Sequence, residues 1–143
     1  MALSVDASAS ISLDDFMTGL IAGLAAEGVQ AISIRDAEFY AAVDAAFRRL
    51  ESISDERGLR LKFWITLNRV YGDSADVRVG ITRAVQRDLV SLDNPVYVNM
   101  RLRVDESDSE SYLRQLPGGP GVYRELTRAF LDHYEGHRKP SEV

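Results

Sequence analysis

Three stretches between Leu59 and Val104 alternate strictly between apolar and polar residues, and this pattern constrains the chain more than any other feature. In Leu59–Asn68 the apolar set is Leu59, Leu61, Phe63, Ile65 and Leu67. In Asp76–Thr82 it is Val77, Val79 and Ile81, and in Val96–Val104 it is Val96, Val98, Met100, Leu102 and Val104. A period of two predicts strands with one buried face. The opposite face would carry Arg60, Lys62, Trp64, Arg78, Tyr97, Asn99, Arg101 and Arg103. That face is basic and partly aromatic, on a chain whose net charge is −5.

The charge is unevenly placed. Residues 1–56 hold ten acids and three bases, residues 57–104 four acids and nine bases, and residues 105–143 eight acids and five bases. Either the acidic ends fold onto the basic middle, or the middle presents a positive patch to a partner. A chain of 143 residues fits one domain with a real core. It has no cysteine, which removes disulfides and thiolate chemistry and fits a reducing cytoplasm. No apolar run reaches membrane-spanning length, and the first residues lack the basic region of a secretory leader.

Residues 1–11 are small and polar and read as a flexible N-terminus. Ser12, with Asp15 three residues on, caps a helix whose apolar positions are Leu13, Phe16, Met17, Leu20, Ile21 and Leu24. Its other side holds Thr18, Gly19, Ala22, Gly23 and Ala26, small enough for close approach of another backbone. Val29–Ile34 reads as a short strand. Asp36 starts a second helix, striped by Phe39, Tyr40, Val43, Phe47 and Leu50 and stopped by Gly58. Tyr71-Gly72-Asp73-Ser74 is a turn signal, and Thr82–Leu92 reads as a short helix, with a long twisted hairpin through the segment as the competing reading. Asp105–Glu110 reads as an acidic loop, Ser111–Leu116 as a helical turn, and Pro117–Gly121 as irregular. A last helix spans about residues 122–134, followed by a tail from 137.

The fold class expected from this order is a single α+β domain over residues 12–136, its mixed or antiparallel sheet carrying helices on one face. The six inner elements match the ferredoxin-like sequence β-α-β-β-α-β, with a helix added at each end.

Other constellations carry less. His133 and His137 are four apart, but Gly136 between them marks a helix end, so no metal site is expected. Pro117–Gly121 precedes a helix but lacks the endings of phosphate-binding loops. Asp105, Glu106, Asp108 and Glu110 lack the spacing of a calcium loop. No catalytic constellation and no cofactor emerge. The expected function is a non-enzymatic interaction or regulatory module, acting through the charged-aromatic sheet face and the small-residue first helix, toward a protein partner or a second copy. A first alternative is single-stranded nucleic acid or an anionic ligand on the same face. A second is an enzyme whose pocket is lined by Phe39, Phe47, Phe63 and Phe130.

Overall fold

No charged residue falls between Asp15 and Glu27, and the helix this stretch forms lies at the centre of the molecule. The computed structural model describes residues 9–34, 37–92 and 99–138, with side chains to residue 134. In it β1 (Ser10–Ile11) leads directly into α1 (Leu13–Ala26). Ser12 and Asp15 form the expected capping box: the Asp15 N–H donates to Ser12 Oγ at 3.1 Å, and the Ser12 N–H donates to Asp15 Oδ2 at 3.0 Å. Every residue from Phe16 to Ala25 is buried. A helix apolar all round must be covered all round. Three later helices cover it: α3 (Ala75–Gln86), α4 (Glu106–Gln115) and α5 (Pro120–Arg138).

The second long helix, α2 (Ala37–Arg57), packs along α5. Gly58, at φ +71°, ends it as its sequence requires. The expected cap at Asp36 lies outside the described residues. The phenylalanines named as a pocket lining are core instead. Phe39 meets Phe130 with ring centroids 6.1 Å apart, and Phe47 and Phe16 each meet Phe63 at 5.2 Å.

The structure is a mixed α+β fold, but its strands do not make one sheet. The remaining strands are β2 (Ala31–Ser33), β3 (Arg60–Leu61), β4 (Val90–Leu92) and β5 (Asn99–Leu102). β1 pairs in parallel with β3, Ser10 opposite Arg60. β2, β5 and β4 form a separate antiparallel sheet with β5 in the middle. There Met100 stands opposite both Ile32 and Leu92 on the core side, and Arg101 stands between Ala31 and Ser91 on the other. The ferredoxin-like pattern is absent among the described residues.

Five expectations change. Ser10 and Ile11 are not frayed: Ile11 is fully buried and both residues pair with β3. Asp76–Thr82 is helical, within α3. Ser74 caps this helix through its hydroxyl, while Val77, Ile81 and Ala84 turn inward at helical spacing and Val79 turns to solvent. Glu106–Glu110 are helical, in α4 after the N-cap Asp105, where Glu106 and Asp108 face the helix dipole favourably. Pro120 and Gly121 belong to α5, proline at the first helical position having no N–H to lose.

The fifth change concerns Leu59–Asn68. Only Arg60 and Leu61 belong to a ladder, which ends where the Lys62 N–H donates to the Ile11 carbonyl at 2.9 Å. From there to Asn68 the chain is irregular, yet Phe63 and Ile65 are buried and Trp64 and Thr66 exposed. The alternation sets which side faces the core without requiring a neighbouring strand.

Candidate interaction surface

The predicted basic face is divided. Arg60 lies on β3, and Lys62 and Trp64 on the irregular segment after it. Arg78 lies on α3, and its guanidinium pairs with Asp73. Asn99 and Arg101 lie on β5 in the other sheet, with Arg103 just beyond it, 3.3 Å from Asp88. Tyr97 lies outside the described residues. The face was inferred by treating Asp76–Thr82 as a strand beside the others, and the helix there removes the link.

The acidic ends do neutralise part of the middle. Asp14, in the first turn of α1, accepts two bonds from Arg83 on α3, at 2.7 and 2.6 Å. That hydrogen-bonded guanidinium holds the Asp14 carboxyl below the usual carboxylate range. Two further pairs lie within the ends themselves: Arg49 on α2 donates to Glu125 on α5, and Arg124 on α5 to Glu110 on α4. Each arginine likewise lowers the pKa of its partner. Arg60, Lys62 and Arg69 are exposed and make no ion pair with another described residue.

The small face of α1, offered above as a docking surface, is taken by the chain itself. A Cβ on Gly19 would fall 2.0 Å from Tyr123 Cδ1, and one on Gly23 1.9 Å from Thr127 Oγ1. The side chains that fill these glycine positions come from α5. Tyr123 is fully buried, its hydroxyl donates to the Pro117 carbonyl, and burial pushes its pKa up.

What remains open is the segment from Arg60 to Tyr71. Trp64 is 66% exposed, Val70 79% and Tyr71 76%. The segment is anchored from beneath by Phe63 and Ile65 and closed at its end by Asn68. The Asn68 side-chain carbonyl accepts from the Val70 and Tyr71 N–H groups at 2.8 and 2.9 Å, and its backbone N–H donates to the Asp73 carbonyl at 2.6 Å. Gly72, at φ +75°, brings the loop back against the start of α2, where its Cβ position is 3.0 Å from that of Ala37. The aromatic groups therefore stand on a pinned loop. Tyr71 opens the turn signal read from the sequence, and Val70 immediately precedes it. Two large apolar residues at a turn have no core to reach, and that was the available sign.

Among the described residues, no three histidine, aspartate or glutamate side chains are grouped to hold a metal. Nor is any described helix long and apolar enough to cross a membrane. No protein-family model, curated protein or solved structure matches this chain.

Proposed function

We propose that this chain is a non-enzymatic protein-interaction module whose contact surface is the segment from Trp64 to Tyr71. The observation that carries this reading is the exposure of Trp64, Val70 and Tyr71 within eight residues. Large apolar side chains held in water gain about 25 cal/mol per Å² when a partner covers them. Tryptophan and tyrosine are also over-represented among the residues that dominate binding energy. The loop is fixed by Asn68 and Gly72, so little ordering entropy opposes association. The first helix no longer enters this reading, because its small face is spent on α5.

The nucleic-acid alternative draws support from Arg60, Lys62 and Arg69 along the same segment, and loses Arg78 and Arg103 to Asp73 and Asp88. Capture from an extract of cells that express the chain tests both. The wild type is compared with Trp64→Ser/Tyr71→Ser and with Tyr112→Ser, a control at a separate exposed aromatic. The interaction reading expects a protein held in stoichiometric amount by the wild type and the control, and lost by the double variant. Equal capture by the double variant refutes it. Nucleic acid released steeply by salt would favour the alternative. Light scattering of the purified variants makes the same comparison for a second copy of the chain.

A further inference from the structure

Beside Trp64 lies a recess of about 400 Å³, lined by Glu51, Ser54 and Asp55 of α2 and by Leu59, Leu61 and Trp64. We propose that this recess takes an arginine side chain of a partner polypeptide, an assignment that rests on the interaction reading above and names the chemistry of its partner. Three independent features converge on a planar cation. Glu51 and Asp55, one helical turn apart, put two carboxylates on the same rim. Arg48 bonds Glu51 at 3.0 Å, whereas Asp55 pairs with no other described residue. The Ser54 hydroxyl supplies the second feature. The residue is 6% exposed, and its Oγ has no hydrogen-bond partner among the described residues. A buried hydroxyl left without a partner is unfavourable, and its oxygen, itself under 1 Å² exposed, would gain one only if the recess opens onto it as a donor enters.

The third feature is the indole of Trp64. It stands edge-on to Phe47 at 6.1 Å and remains 66% exposed. An exposed indole beside carboxylates is the surface on which a guanidinium stacks while its N–H groups bond the oxygens. The molecule already makes a similar arrangement next door. Arg48 lies 5.7 Å from the Phe47 ring centroid and bonds Glu51. Among the described residues Arg48 is the cation that touches the rim, through Glu51, and Asp55 stays open. Leu59 and Leu61 line the recess, so the alternation turns Arg60 and Lys62 to the other side. Arg57 is engaged with Glu125 at 3.8 Å. The acidic rim disfavours phosphate, so this recess and the basic residues outside it select different charges.

Titration of the labelled full chain with N-acetyl-arginine methylamide, followed by backbone amide shifts and the Trp64 indole signal, tests the assignment. Trp64 is the sole tryptophan, so that indole signal reports this site alone. Expected are saturable shifts confined to residues 51–64, no saturation with the uncharged citrulline analogue, and weaker binding of the lysine analogue. Asp55→Asn should weaken arginine binding about fivefold, the upper range for a solvent-accessible ion pair. Asp55 is exposed on its helix, so the fold should be retained, and the amide spectrum checks it. Equal binding of the citrulline analogue, or shifts that avoid Asp55 and Trp64, overturns the proposal. Methylguanidinium binding as tightly as the capped residue would overturn the polypeptide partner in favour of a small guanidino ligand. If capped arginine fails while Trp64→Ser/Tyr71→Ser still loses its captured partner, the recess assignment falls and the interaction reading stands. If capped arginine binds while capture is unaffected by the double variant, the interaction reading falls instead.

Discussion

Gly19→Ala should destabilise this protein although alanine is the better helix former. In the interior of α1 the exchange gains about 1 kcal/mol of helix propensity. Against it stands the Tyr123 ring, with Cδ1 2.0 Å and Cε1 and Cγ each 2.7 Å from the new Cβ. Ordinary contact begins near 3.4 Å, so the ring must retreat by more than an ångström or α5 must move away from α1. The ring has no easy exit, since Tyr123 is fully buried and tied to the Pro117 carbonyl. Overpacking of this kind costs roughly 3 kcal/mol at the upper end of its usual range. The net expectation is a loss of ~2 kcal/mol, or about 1 M in the urea midpoint for a typical slope. Equilibrium urea unfolding, followed by circular dichroism and by Trp64 emission, measures it. Two companion exchanges calibrate the reasoning. At Gly80 the new atom would meet Met17 Cγ at 2.8 Å and Sδ at 3.2 Å, and methionine yields, so the two effects should nearly cancel. At Gly121, in the first turn of α5, nothing lies within 4 Å, so alanine should stabilise. In a Tyr123→Leu background the loss from Gly19→Ala should shrink, a coupling that a double-mutant cycle reads directly. A Gly19→Ala protein as stable as the wild type would refute the tight α1–α5 contact.

Three other outcomes follow from the same structure. Ser12→Ala should lower stability by about 1 kcal/mol by opening the α1 capping box, measured by thermal unfolding. Phe63→Ala should cost about 3 kcal/mol and Trp64→Ala under about 1, because Phe63 sits between Phe16 and Phe47 while its neighbour is mostly in water. Similar losses for the two variants in urea would contradict the described anchoring of this segment. For Asp14 the folded pKa is depressed by Arg83, so the pair's stabilisation is present above the unfolded carboxylate pKa and fades as pH falls through the lowered one. The wild type should therefore exceed Asp14→Asn in stability at neutral pH, with the gap closing in acid, as a series of unfolding curves against pH would show.

The sequence by itself determined the features that depend on neighbours along the chain. Ser12 with Asp15, the uncharged run after them, and Gly58 after a striped helix each act within a few residues, so α1 and α2 stand where their signals put them. The burial side of Leu59–Asn68 was legible for the same reason, because alternation is a local property. It was not legible that most of this segment has no ladder, since pairing depends on what lies beside it. Val77, Val79 and Ile81 satisfied a period of two, but Val77 and Ile81 are also four apart, which suits a helix equally. Ser74 as a cap and the apolar surface of α1 decided between them, and with that the single basic face disappeared. The two glycines of α1 announced a close approach, and only the tertiary structure identified its partner as α5 of the same chain. The recess beside Trp64 joins Glu51, Ser54 and Asp55 of α2 to a segment beyond Gly58 that Phe63 pins against the aromatic core, a juxtaposition no local pattern announces.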